Sequence, residues 1–254
     1  MRKRLLTDGA KELSYEIREI VKKANQLKAL GLKIHWENIG DPIEKKCKLP
    51  GWIKDIVSDI VQKNESYGYC PSKGVLSTRE YIATQTNKLG GAQISPDDIL
   101  FFNGLGDAIA TIYGLLSMTT RIIGPSPAYS THSSAEAAHA HAAPLTYRLK
   151  PEDHWYPDLE ELENKVKYNP SIAGILIINP DNPTGMVYTK EHLEKIVDIA
   201  RRYGLFIICD EIYNKIVYNG AHAYCLAEVI GEVPGIALKG ISKEYPWPGA
   251  RCGW

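Results

Sequence analysis

A lysine, a serine and an arginine with complementary chemistry lie close together near the end of the sequence. Lys243 follows the apolar run 236–239, which predicts a buried strand. Burial lowers the pKa of a lysine amine and makes the amine available for imine formation with an aldehyde. Ser242 and Arg251 offer a hydroxyl and a planar cation that suit a phosphate dianion. A surface lysine is the ordinary alternative for any single Lys, but the three groups together favour a site.

Two further polar segments follow apolar runs. Asp210 comes directly after the run 205–209, and a carboxylate at the mouth of a buried strand needs a cationic partner. The alternative is a helix N-cap with a salt bridge. Asn182 lies in the segment 179–185, in which two prolines and a glycine predict a rigid loop that carries amide side chains. A capped turn without function is the alternative there.

A glycine-rich segment at 103–107 precedes a helical pattern. Leu105 and Gly106 would present free backbone N–H groups and the positive end of the helix dipole to an anion, such as a phosphate. A dinucleotide-binding loop would need Gly or Ala where Ile109 stands. An ordinary tight turn remains the alternative.

These segments are positioned by a repeated pattern of short apolar strands and amphipathic helices. Strands are predicted at 99–102, 121–124, 145–149, 173–178, 205–210 and 236–239, and helices at 105–116, 159–166 and 190–203, after a first helix that runs from Leu13 to a stop at Gly31. Continuous apolar strands between helices predict an α/β fold, a mostly parallel central sheet covered on both faces in a three-layer sandwich. Ligands of such sheets bind outside the carboxyl ends of the strands.

The composition excludes several classes of partner. Thirty basic residues balance thirty acidic ones, so neither nucleic acid nor an anionic membrane surface is predicted as a partner. The longest apolar runs fall far below the ~20 residues that span a bilayer. Five cysteines without CxxC spacing favour a reducing compartment, and we predict a cytoplasmic protein. His132, His139 and His141 lie in an alanine-rich helical stretch, and no metal site is predicted.

The same segments, in this order, resemble the class I and II aminotransferases, which are fold type I enzymes that use pyridoxal 5′-phosphate (PLP). Ser242-Lys243 with Arg251 and Gly253-Trp254 is the most specific match, followed by the segments 179–185 and 210–213. The resemblance covers essentially the whole chain. Segments 68–74 and 155–159 are similar to the bacterial alanine aminotransferase branch.

The resemblance implies a role for each matching residue. Lys243 would hold PLP as an internal aldimine and move the proton between the substrate and the cofactor, with Asp210 paired to the pyridinium nitrogen. The remaining contacts are implied at three places. The cofactor ring would be contacted by Tyr213, Asn182 and Tyr129, and the substrate by Gly40 and Asn182. The phosphate would be contacted by Leu105, Gly106, Ser242, Arg251 and Tyr67. Tyr67 would come from the other subunit of a homodimer.

The resemblance also implies a reaction and a domain plan. The reaction is amino transfer between an amino acid of alanine or aspartate type and a 2-oxo acid such as 2-oxoglutarate. Another PLP reaction on the same fold, or an inactive PLP-binding module from a truncated gene, are the alternatives. Residues 1–40 would be the N-terminal helix and arm, and residues 41–254 a PLP-binding large domain. The family continues past the position of Trp254 into the rest of that domain and a C-terminal small domain, so the small domain is expected to be missing here.

Overall fold

The computed structural model describes residues 8–13, 16–37 and 40–254. In these ranges the helices are α1 (Glu16–Ala29), α2 (Gly51–Val61), α3 (Leu76–Asn87), α4 (Leu105–Leu115), α5 (Ser130–Ala140), α6 (Leu159–Tyr168), α7 (Lys190–Tyr203), α8 (Leu226–Val229) and α9 (Ile241–Glu244). Short 3-10 turns occur at Asp8–Lys11, Asn64–Tyr67, Pro96–Asp98, Pro151–Asp153 and Pro248–Ala250. No helix within the described ranges is long and apolar enough to cross a membrane.

The described strands form one sheet of six strands. They are β1 (Arg121–Ser126), β2 (Leu145–Lys150), β3 (Tyr156–Pro157), β4 (Ile172–Ile178), β5 (Phe206–Asp210) and β6 (Gly235–Leu238). Their order across the sheet is β3-β2-β1-β4-β5-β6. Only the short β3 pairs antiparallel to its neighbour, and the other pairings are parallel. The carboxyl ends of β1, β4, β5 and β6 therefore meet at one edge of the sheet.

Two separate cores cover the two faces of this sheet. Along β4, Ile175 and Ile177 pack into a core with α6 and α7, whereas Leu176 and Ile178 pack with α4 on the opposite face. Successive side chains of a strand point to opposite faces, so a strand covered on both sides is apolar at every position. The three-layer arrangement with a mostly parallel sheet, predicted from the apolar runs, is confirmed.

Helix α7 shows how local sequence sets these elements. Thr189 caps its first turn by accepting a hydrogen bond from the backbone N–H of His192 (3.2 Å). Gly204 ends it in the left-handed conformation, with a φ of 67°. The predicted bounds, 190–203, match the observed helix.

The strand predicted at 99–102 is wrong. The segment has no continuous ladder, because its hydrogen bonds go to two different parts of the chain. Phe101 donates its N–H to the carbonyl of Lys73 (3.2 Å), and Phe102 forms an isolated bridge with Gly253. An apolar run indicates burial, and burial alone does not supply a neighbouring strand.

The predicted first helix is present as α1 from Glu16 to Ala29, and two residues of its apolar stripe lie on the surface. Ile20 is 59% exposed and Leu27 is 44% exposed. The 3-10 turn before it packs on α5, where a side chain in place of Gly9 would collide with the Ala138 carbonyl.

Candidate active site

The polar residues predicted at strand ends share one edge of the sheet. Tyr129 follows β1, Asn182 follows β4, Asp210 ends β5 with Tyr213 just beyond it, and Lys243 lies in α9 after β6. Because these four strands are parallel neighbours, their carboxyl ends form a single rim.

Lys243 is half-buried, and its amine is directed at the N-terminal segment. Its Nζ donates a hydrogen bond to the carbonyl of Gly40 (2.6 Å) and lies 6.0 Å from the centre of the Tyr213 ring. Burial lowers the pKa of Lys243, and the nearby Asp41 carboxylate opposes that effect without cancelling it. The amine is thus more easily deprotonated than a surface lysine, as imine chemistry requires.

The last residues of the chain hold the Lys243 segment in place. Lys239 and Trp254 exchange two backbone hydrogen bonds (2.9 and 2.8 Å), and Ile241 donates to the carbonyl of Cys252 (3.3 Å). Arg251 has a φ of 51°, a left-handed conformation that turns the chain back into this pairing. The backbone on both sides of the turn is therefore fixed, and the arginine and the lysine are fixed relative to each other.

The N-terminus of α4 receives the Arg251 side chain. The Nη2 of Arg251 donates a hydrogen bond to the carbonyl of Asn103 (3.3 Å). A Cβ added to Gly104 would lie only 2.4 Å from the same nitrogen. Gly104 also has a φ of 86°, which L side chains rarely adopt. The guanidinium thus sits beside the free N–H groups of the first turn, where Leu105 and Gly106 begin α4. This combination can bind a dianion.

Asp210 is buried, and its two oxygens are held by separate donors. The backbone N–H of Ile212 donates to Oδ1 (3.1 Å), and Nε2 of His132 lies 2.9 Å from Oδ2. Because a carboxylate only accepts, Nε2 of His132 carries the hydrogen when Asp210 is ionised. Tyr129 meets the His132 ring edge-on, with ring centres 6.3 Å apart. A fixed, buried carboxylate at a strand end can neutralise a cation that a ligand brings in.

Sequence reasoning gave His132 no role in the site, because it grouped this residue with its alanine-rich surroundings. The structure separates it from His139, which lies close to the Thr120 carbonyl instead (3.0 Å). His132 is completely buried. Its position three residues after Tyr129, in the first turn of the helix that follows β1, is the signal that could have assigned it to the rim.

Asn182 lies at the tip of a loop that is fixed by its own side chains. Asn179 accepts from the N–H of Tyr188 (3.1 Å) and donates to the carbonyl of Tyr224 (3.0 Å). Asp181 accepts two hydrogen bonds from Thr184, and burial raises its pKa. The predicted rigidity of this segment has a physical source, and half-buried Asn182 is available at the rim.

A buried ion pair that the sequence did not reveal supports the ends of β5 and β6. Glu211 Oε2 lies 2.9 Å from Lys239 Nζ, and its Oε1 accepts from the N–H of Leu226 at the start of α8. Lys239 also donates to Cys225 Sγ (3.2 Å). Burial opposes the charge on Lys239, but the combined interactions with Glu211 and Cys225 outweigh it, so the pKa of Lys239 is raised.

Within this chain, Tyr67 lies apart from the other predicted site residues. It lies in the 3-10 turn after α2, is 75% exposed, and donates its hydroxyl hydrogen to the Val61 carbonyl (2.8 Å). Helix α2 itself exposes Trp52 and Ile56. Ser242, in contrast, directly precedes Lys243 in α9.

A large concave volume lies away from this rim. A cavity of about 810 Å³ is bounded by Asn164, Tyr168 and Ile172 and by the start of β2, at the amino ends of the strands. Size alone does not identify the functional site here, because the groups with perturbed chemistry lie at the opposite edge. In sum, that edge combines an amine with a lowered pKa, a buried carboxylate and an anion cradle.

Comparisons with known proteins agree with this arrangement. Residues 38–254 match the family model described as aminotransferase class I and II. The chain is 62% identical over its whole length to an uncharacterized aminotransferase of Methanocaldococcus jannaschii, covering 59% of that protein. It is 35% identical to the glutamate-pyruvate aminotransferase AlaA of Escherichia coli, over 94% of this chain and 58% of that one.

Solved structures give the same result. The alanine aminotransferase of Pyrococcus furiosus superposes with a TM-score of 0.89 and 31% identity, over 98% of this chain and 62% of that one. The chain thus spans about three-fifths of the length of these relatives. With the family model matched over most of its residues, this chain belongs to the aminotransferase class I and II family.

Proposed function

We propose that the protein is a PLP-dependent aminotransferase that moves an amino group between an amino acid and a 2-oxo acid. The observation that carries the proposal is the convergence of Lys243, Asp210 and Arg251 on one rim of the sheet. An amine, a carboxylate and an anion cradle match the aldehyde, the ring nitrogen and the phosphate of PLP respectively.

The side chains at the rim fit this cofactor. The Gly104 backbone leaves room for the Arg251 guanidinium, and we assign the phosphate to that cation with Ser242 and the N–H groups of Leu105 and Gly106. We assign the ring nitrogen to Asp210, whose buried carboxyl group is held in position by His132 and the backbone N–H of Ile212. The cofactor ring contacts would come from residues of three strand ends: Asn182, Tyr213 and Tyr129.

The protein side chains have separate tasks in the proposed reaction. Bound PLP supplies an aldehyde that takes up the amino group and a ring that accepts electrons from the substrate α-carbon. Lys243 would hold the cofactor through its Nζ, and its free amine would accept and return the substrate α-proton. Asp210 would keep the proton on the ring nitrogen, which would stabilise negative charge only as it develops. Tyr213 and Asn182 would hydrogen-bond the phenolic oxygen O3′.

The substrate class is proposed from the relatives and from two rim residues. Relatives named as glutamate-pyruvate or alanine aminotransferases favour alanine and 2-oxoglutarate as a first pair to test, with aspartate as a second donor. Gly40 and Asn182 would contact the substrate carboxylate, Gly40 through its backbone. The contact between Lys243 and Gly40 supports this, because it brings that backbone to the reacting amine.

We further propose a homodimer, with residues 1–40 as an N-terminal arm and residues 41–254 as the cofactor-binding domain. Exposed Tyr67 would reach the phosphate of the other subunit. The exposed apolar side chains Trp52 and Ile56 of the adjacent α2 support an interface at this place. The cytoplasmic location stays a prediction from the composition.

Borohydride reduction tests the proposed function. PLP is added to the purified chain, the product is reduced, and peptides are analysed by mass spectrometry. We expect the cofactor mass on the peptide that contains Lys243. Lys239 is the internal control, because its amine is paired with Glu211. Labelling of other lysines with Lys243 unmodified would refute the assignment.

A further inference from the structure

The Lys243 amine contacts the backbone of the N-terminal segment. Its Nζ donates to the Gly40 carbonyl at 2.6 Å, although 203 positions separate the two residues in the chain. Gly40 has room for this contact, since a Cβ built on it would lie 3.6 Å from the amine. The contact brings the next residue, Asp41, to the same amine.

The Asp41 carboxylate is held by its own turn. Its Oδ1 accepts from the backbone N–H of Ile43 (2.8 Å) and, more weakly, from that of Glu44 (3.4 Å). This is the capping geometry that Asp and Asn share at the start of a turn. The carboxylate is therefore fixed near the amine and does not swing freely into solvent.

In the described part of the chain, other titratable groups on segments next to Lys243 include Glu244, Asp210 and Tyr213. Glu244, on the same helix, accepts from the N–H of Lys215 (3.0 Å). Asp210, at the end of β5, is held by its two donors. The centre of the Tyr213 ring lies 6.0 Å from the amine. Burial lowers the pKa of Lys243, and the charge that opposes this is that of Asp41.

We propose that Asp41 is a positioning residue that holds Lys243 as an ammonium on the Gly40 carbonyl until the cofactor arrives. The proposal rests on the proposed function of Lys243. To react, the ammonium first loses a proton to solvent. The nitrogen then adds to the aldehyde carbon, a carbon–nitrogen double bond forms, and the aldehyde oxygen leaves as water. Asp41 thereby sets the pH at which the free lysine captures an aldehyde.

The variant Asp41→Asn separates charge from shape. The amide oxygen still accepts from the turn, so the backbone stays in place while the negative charge is lost. Below the pKa of Lys243 the capture rate follows the fraction of free amine. We expect capture at pH 7 to become about fivefold faster, the effect of removing one solvent-screened charge, with no change at high pH.

Two further variants control for other causes. Glu44→Gln removes a carboxylate from the same turn and is expected to leave the rate profile unchanged. Asp41→Glu keeps the charge and is expected to retain the wild-type profile. Rescue by Asp41→Glu distinguishes an electrostatic effect from a loosened turn.

The experiment uses the full 254-residue chain without cofactor, from about pH 6 to pH 10. PLP is added, samples are reduced with borohydride at intervals, and label on Lys243 is counted by peptide mass spectrometry. A parallel series uses trace acetic anhydride instead of PLP. Both profiles should move to lower pH in Asp41→Asn alone.

Coincident profiles for Asp41→Asn and wild type would overturn the inference, as would an equal shift in Glu44→Gln or no rescue by Asp41→Glu. Failure of PLP to attach to Lys243 would instead overturn the proposed function. In that case the acetylation profiles still decide whether Asp41 governs the amine.

Discussion

Replacing Lys239 by Met should destabilise the fold strongly, because it leaves a buried carboxylate without its countercharge. The Glu211 side chain is fully buried, whereas that of Lys239 is 26% exposed. Met keeps most of the length and apolar volume of the Lys stem. The variant therefore removes mainly the charge and its contacts with Glu211 and Cys225.

The expected loss can be set from the burial of the pair. Removal of one partner from a buried ion pair costs about 3–5 kcal/mol, and the partial exposure of Lys239 places this pair at the lower end, about 3 kcal/mol. The matched control is Lys190→Met, because Lys190 pairs with Glu194 on the surface of α7 at 3.7 Å, with both side chains about half exposed. Loss of that pair should cost less than ~0.5 kcal/mol.

A second change tests the mechanism. Adding Glu211→Gln to Lys239→Met removes the unpaired charge but keeps an oxygen that can accept from the Leu226 N–H. The double variant should recover at least half of the lost stability, since a neutral pair avoids the buried charge.

Urea unfolding followed by far-ultraviolet circular dichroism measures these differences, with the slope m checked for constancy. The reasoning is refuted if Lys239→Met costs no more than Lys190→Met. It is also refuted if the double variant is less stable than Lys239→Met alone, because the penalty then does not come from the charge on Glu211.

Three further outcomes are expected. Asp210→Ala should lower turnover of the complete enzyme far more than PLP affinity, because the carboxylate acts mainly as negative charge develops; steady-state rates beside cofactor titration check this. Gly104→Ala should displace the Arg251 guanidinium and weaken PLP binding about tenfold, which equilibrium dialysis measures; unchanged affinity would contradict the cradle. Burial raises the pKa of Cys225 to about 11, so at neutral pH iodoacetamide should modify exposed Cys70 first and Cys225 only in urea.

The parts of the fold that the sequence predicts well are those whose signals are local. Helix α7 has a side-chain cap at one end and a glycine at the other, and its predicted bounds need no correction. Strands β4 and β5 are covered on both faces, so their apolar runs are unbroken and lie within one residue of the predicted positions. The segment 99–102 fails because its pairing partner, Gly253, lies far along the chain.

The residues of the candidate site also divide into those that local sequence signals locate and those that they miss. The rule that ligands bind at the carboxyl ends of parallel strands locates Asp210, Asn182 and Lys243, because it needs only the strand and the residue after it. It cannot locate the contact between His132 and Asp210, in which 78 positions separate the two side chains. Such contacts depend on which face of a helix packs on the sheet, and an alanine-rich helix has little apolar contrast to predict that face.

The neighbouring carboxylates Asp210 and Glu211 show how one strand end serves two purposes. Side chains alternate along a strand, so adjacent residues face opposite layers. Asp210 faces the layer of α4 and α5 and meets His132, whereas Glu211 faces the layer of α7 and α8, where it meets Lys239 and the start of α8. Asp210 is thereby held at the rim by two donors, and Glu211 pairs with Lys239 directly after the end of β6. Loss of Glu211 should reduce stability while Asp210 keeps both of its donors, because Asp210 is held by His132 and the Ile212 N–H, whereas Glu211 is held by Lys239 and the Leu226 N–H.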